Sequence, residues 1–191
     1  VQVVDLGVIA GTAPKTNACF WLSFIAAASH VLGPDHQAPD MAIWTALRED
    51  LAAVRETEAS HLQHAARNGP RVDAVGTAAD YLRRYACDRM ATADGCERWQ
   101  PWFANLAGDV NAPEGGGASL VQYMAHVAGL RTHIFADQLN VVQVSEMFGI
   151  RIKIIPKDET WAITTINADA DKCIFLGNDD THYVWLKPTD V

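Results

Sequence analysis

A chain of 191 residues, 49% of them hydrophobic, is long enough to bury one sizeable core and too apolar to stay disordered. Fifteen Lys+Arg against 23 Asp+Glu leave a net charge of −8, which argues against a nucleic-acid binder, because such proteins need a basic face. No apolar run approaches the roughly 20 residues of a membrane span, no secretory pattern opens the chain, and four cysteines in this length do not make a disulfide scaffold. Reduced thiols are therefore expected, in the cytoplasm, or in a host cytosol for a viral or pathogen protein. The chain opens on Val1 rather than methionine, so residues 1–191 are expected to be a single domain excised from a longer protein.

Residues 1–10 are rich in valine and isoleucine and predict a strand, with Asp5 its one charge. An acid in an apolar strand needs a partner or a place at a solvated edge. A loop over residues 11–18 leads to Cys19, and residues 19–32 are apolar on nearly every face, as in a central helix closed by Gly33-Pro34. Pro39-Asp40 opens a second helix, running to about residue 64, whose Ile43, Trp44, Leu47, Leu51 and Val54 form one apolar stripe. Residues 72–90 predict a third helix, with Val75, Ala79, Leu82 and Ala86 facing inward. Asp94-Gly95 is expected to be a turn, and Trp99, Trp102, Phe103 and Leu106 a buried aromatic cluster. Residues 111–117 form a glycine-rich surface loop. Helices follow at 119–128, capped by Ser119, and at 141–148, closed by Gly149. Strands are expected at 150–155, 161–167, 173–176 and 183–186. Helices first and strands last mean α+β, with a central mixed sheet flanked by helices.

A cysteine in the first turn of a helix meets free backbone N–H groups and a partial positive charge, which favour thiolate over thiol. As a lone thiol Cys19 would simply be a small core residue. His182, entering the last strand, supplies the base that a cysteine nucleophile needs, and a third group must then fix its tautomer. A cysteine early and a histidine late is the order of papain-like proteases. His61 and His64 lie at i and i+3 but have no further ligand pair at metal spacing, and the Gly115-Gly116-Gly117 run lacks the lysine of a phosphate loop. No cofactor and no metal are expected.

Asn17-Ala18-Cys19-Phe20-Trp21-Leu22-Ser23-Phe24-Ile25 resembles the cysteine loop and helix of the ovarian-tumour (OTU) family of cysteine deubiquitinases. Ala136-Asp137-Gln138-Leu139-Asn140, continuing through Glu146 to Ile154, is similar to that family's helix-then-strand segment. Ile174-Phe175-Leu176 followed by Thr181-His182-Tyr183 resembles its last two strands. The three blocks are in family order and span most of the chain. The resemblance implies a papain-like fold and hydrolysis of the isopeptide bond after the C-terminal glycine of ubiquitin or a ubiquitin-like protein, with Cys19 as nucleophile and His182 as general base. It also implies a narrow groove over Cys19 that admits only glycine, with Glu114, near the glycine loop, meeting an arginine of the ubiquitin tail.

Two departures bear on the site. The family's Asp-Gly-Asn before the cysteine is Thr16-Asn17-Ala18 here. The oxyanion donors are expected to be backbone N–H groups of residues 16–19, with Asn17 adding its side-chain amide or serving only as a turn former. The family's acid or asparagine two residues after the histidine is Val184, which cannot orient an imidazole. The orienting group is then Asp5, as in family branches that carry the acid upstream of the cysteine, or one of Asn178, Asp179 and Asp180, or none. Other functions stay open: a papain-like protease that processes its own polyprotein, a non-catalytic ubiquitin-binding domain, or another thiol enzyme.

Overall fold

The computed structural model describes residues 1–6, 18–57, 61–62, 74–106, 138–158, 160–179 and 182–189. Asn17, Thr16, Glu114, the 111–117 loop, the 119–128 helix and Asp180 lie outside the described residues. The rest forms a five-stranded mixed sheet with helices packed against it.

The core is built around α1 (Cys19–Val31), in which every residue from Cys19 to Ser29 is buried. Its sequence offers no polar face, so it can only be stable between two layers. It packs on the sheet on one side and on α2 (Met41–Arg55) and α3 (Ala74–Met90) on the other. Phe20, Trp21, Phe24 and Ile25 are fully enclosed, each worth about 1.5–3 kcal/mol by burial. Arg55, at the end of α2, donates to the carbonyl oxygens of Ser29 and Leu32 and so satisfies the C-terminus of α1 with a cation.

The α2 stripe is buried as its spacing predicts. Asp40 caps the helix from outside rather than opening it, accepting from the N–H groups of Ala42 at 3.1 Å and Ile43 at 3.3 Å. The helix stops at Arg55, short of the expected residue 64, and residues 61–62 are helical again. Asp94-Gly95 is not a turn. It is the first turn of α4 (Ala93–Leu106), because the Thr92 hydroxyl accepts from the Gly95 N–H at 3.1 Å and starts the helix there. In that helix Trp99 is buried, but Trp102 is 51% exposed, so the aromatic cluster is only partly a core.

α5 (Gln138–Phe148) begins three residues earlier than its apolar pattern requires and ends at Gly149, whose φ of +60° suits a glycine. The chain then enters β2 (Arg151–Pro156), followed by β3 (Thr164–Ile166), β4 (Cys173–Asn178) and β5 (Tyr183–Lys187). The strand β1 (Gln2–Val4) opens the chain. The sheet order is β1-β5-β4-β2-β3, with β2 and β4 parallel and the other pairs antiparallel. β3 is shorter than the expected 161–167 segment, and Trp161 and Ile163 before it are exposed.

Candidate active site

Three elements converge at one end of the sheet. Strand β1 pairs antiparallel with β5 in the register Val4 to Trp185, so the end of one strand lies beside the start of the other. Asp5 directly follows β1 and His182 directly precedes β5. Residues from opposite ends of the chain are thereby neighbours. His182 Nε2 stands 2.8 Å from Asp5 Oδ1. The Asp179 N–H donates to the His182 carbonyl at 3.2 Å.

The helix α1 is placed against the same strand. The Ser23 hydroxyl donates to the Tyr183 carbonyl at 3.2 Å, and the rings of Phe20 and Tyr183 meet edge-on with centroids 5.4 Å apart. Ser23 lies one helical turn beyond Cys19, so both point to the same side. Docking Ser23 on Tyr183 therefore brings Cys19 to the residue before it, His182. The Cys19 sulfur bears on the imidazole and favours its charged form. With Nε2 directed at Asp5, Nδ1 is the ring nitrogen left for the sulfur.

The electrostatics follow from this arrangement. The Cys19 sulfur first, and the Asp5 carboxylate after it, push the His182 imidazole up from 6.5 to about 9, against the opposing effect of burial. At neutral pH the ring is thus an imidazolium held between sulfur and carboxylate. Cys19 is 5% exposed, while the side chains of His182 and Asp5 are 23% and 27% exposed, so the charged groups keep a path to solvent. The α1 N-cap is Ala18, whose methyl group cannot accept from the first-turn N–H groups of the helix.

Of the four residues singled out in the sequence, Cys19, His182 and Asp5 come together and Asn17 lies outside the described residues. Asn178, a competing orienting group, ends β4, Asp179 follows it, and Asp180 lies outside the described residues; among the described residues the carboxylate hydrogen-bonded to His182 is that of Asp5. Val184 is occupied with packing. It sits opposite Gly177 on β4, where a Cβ would come within 2.8 Å of its Cγ2. One residue of the neighbourhood escapes a periodicity reading. Arg83 is only 1% exposed on the inward face of α3, which packs against α1. The signal was its position, four residues after Ala79 and four before Cys87 on the buried stripe. None of the four cysteines is in a disulfide, and the described residues contain no group of three or more His, Cys, Asp or Glu side chains able to hold a metal.

No protein-family model and no curated protein matches the sequence. Solved structures do. One is the complex described as h/ceOTUB1–ubiquitin aldehyde–UBCH5B~Ub, with a TM-score of 0.55 over 92% of this chain and 74% of that one, at 16% sequence identity. Another is the complex of ceOTUB1 with ubiquitin aldehyde and UBC13~Ub, with a TM-score of 0.54 over 92% and 77%, also at 16% identity. The fold is OTU-like. The mixed sheet flanked by helices thus has the architecture that the cysteine and histidine blocks of the sequence led us to expect.

Proposed function

We propose that this chain is a cysteine-dependent deubiquitinase, cleaving the isopeptide bond after the C-terminal glycine of ubiquitin or a ubiquitin-like protein. The observation that carries this reading is the meeting of Cys19, His182 and Asp5 at one sheet end, drawn from both extremities of the chain. The OTUB1 structures it resembles are complexes with ubiquitin aldehyde, which supports ubiquitin as the partner.

In this mechanism the Cys19 thiolate attacks the carbonyl carbon of the terminal glycine, and the carbonyl oxygen becomes an oxyanion. The Cys19 N–H, in the first turn of α1, is the donor this reading assigns to that charge. As the C–N bond breaks, the His182 imidazolium gives its proton to the departing lysine amine. The thioester that remains is attacked by water, whose proton returns to His182, and the thiolate is released with the ubiquitin carboxylate. Asp5 holds the imidazole through Nε2 in the orientation both transfers need.

The test is turnover of ubiquitin carrying a C-terminal fluorogenic amide, and of a lysine-linked ubiquitin pair. Cleavage by the native chain that is lost in Cys19→Ala and in His182→Ala supports the proposal. A folded native chain that cleaves neither substrate contradicts it.

A further inference from the structure

We propose that Trp161 and Asp179 form a subsite that grips an arginine of the ubiquitin tail, its guanidinium lying over the exposed indole and pairing with the carboxylate. The inference deepens the proposed function and rests on its reading of the partner as ubiquitin or a ubiquitin-like protein.

The location is set by the sheet. Strand β5 starts, and β4 and β2 end, at one edge, in the register Tyr183 to Asn178 and Asn178 to Pro156. His182 precedes β5 at that same edge. A concavity of about 340 Å³ opens there, lined by Pro156, Lys157, Asp158, Trp161, Asn178 and Asp179. It is joined to the histidine through the backbone, since the Asp179 N–H donates to the His182 carbonyl. Neighbouring strands lie about 4.8 Å apart, so the end of β2 is about 10 Å across the sheet from the start of β5. An extended tail advances about 3.3 Å per residue, which puts residues two to four places before the terminal glycine at that distance from the scissile bond.

The chemistry of the lining suits a guanidinium. Trp161 and Ile163 are 57% and 58% exposed, two large apolar side chains left uncovered within three residues. The backbone that presents Trp161 is held. The Thr160 N–H and hydroxyl donate to the Asp158 carboxylate at 2.9 and 2.7 Å, and the Trp161 N–H donates to the Asp158 carbonyl at 3.1 Å. An indole face attracts a cation, and the planar guanidinium also stacks on it. Of the two carboxylates, that of Asp158 is engaged by Thr160, while Asp179 is exposed. With two acids against Lys157, the lining is net acidic. The substrate needs such a grip. Its terminal glycines have no side chains to bind, so recognition of the tail falls to the arginines before them.

The experiment measures equilibrium binding of the Cys19→Ala chain to fluorescently labelled ubiquitin with a free tail, by anisotropy. Trp161→Ala and Asp179→Ala are made in that chain, and each tail arginine is replaced by alanine in ubiquitin. Both substituted side chains are exposed, and Asp179→Ala keeps the N–H that bonds His182, so the variants should fold as the native chain does. Trp161→Ala should weaken binding about 5- to 10-fold and Asp179→Ala about 2- to 5-fold. Against ubiquitin lacking one particular tail arginine both losses should vanish, the signature of a coupled pair. Losses that simply add to that of the arginine overturn the inference, as do no loss and no binding. Turnover of fluorogenic ubiquitin by the chain with native Cys19 is followed in parallel. Turnover without the coupling overturns the inference and leaves the deubiquitinase assignment standing. Arginine-coupled binding without cleavage supports the subsite and overturns that assignment.

Discussion

The Asp5–His182 contact yields the most exacting prediction. At 2.8 Å it is a charge-assisted hydrogen bond, a kind worth about 1.5–3 kcal/mol. Both side chains are about a quarter exposed, which places the pair between a screened surface bridge and a sealed one. We therefore take about 1.5–2 kcal/mol, or about 10- to 30-fold in rate or in protonation equilibrium. Asp5→Ala should lower kcat/KM on a fluorogenic ubiquitin substrate by about that factor, because the imidazole loses both its orientation and the support for its charge. Asp5→Asn keeps the shape but not the charge and should lose less at the optimum. The sign of the pH effect is fixed. A carboxylate raises the proton affinity of the ring, so removing it makes His182 give up its proton earlier as pH rises. The alkaline limb, set by a group now at about 9, should move down by about one pH unit in both variants. An Asp5→Ala protein with native kcat/KM and an unmoved alkaline limb would refute the assignment of Asp5 as the orienting group.

Other consequences can be checked independently. The His182 imidazolium is favoured in the fold, so its contribution to stability is fully present below about 6.5 and is lost as pH rises through about 9; His182→Ala should flatten that part of the stability profile in thermal unfolding. Ser23→Ala removes the hydroxyl that docks α1 on Tyr183 and should cost about 1 kcal/mol in denaturant unfolding, with a fall in kcat from a displaced Cys19. Gly177→Ala forces a Cβ against Val184 and should cost about 1–3 kcal/mol, weakening the β4–β5 pairing that carries His182. Asp40→Ala removes the α2 cap and should cost about 1 kcal/mol of stability while kcat/KM stays native, since this cap lies outside the catalytic group.

What could be read from the sequence divides along physical lines. The helix of Cys19 was legible because its residues are apolar on all sides, and the α2 stripe because its period is strict. The final strands were legible from β-branched and aromatic runs that match the observed β4 and β5 closely. The placing of Asp5 beside His182 was not, because it depends on β1 pairing with β5 across nearly the whole chain, and no local pattern encodes that register. The start of α4 was misread because Asp-Gly is a common turn signal, and only the Thr92 hydroxyl, bonding the Gly95 N–H, makes it a helix cap. That glycine also has a tertiary reason: a Cβ there would lie 2.2 Å from the Arg89 carbonyl oxygen at the end of α3. Arg83 was missed since a charged residue on an apolar stripe is ordinarily assigned to the solvent side.

The central claim is that a sulfur and an imidazole brought together by the sheet act on the tail of ubiquitin. It is tested most directly by treating the folded chain with ubiquitin bearing a C-terminal electrophile and mapping the adduct by peptide mass spectrometry. A single adduct on Cys19, absent in Cys19→Ala, is the predicted result. No adduct, or one carried by Cys87, Cys96 or Cys173 instead, would contradict it.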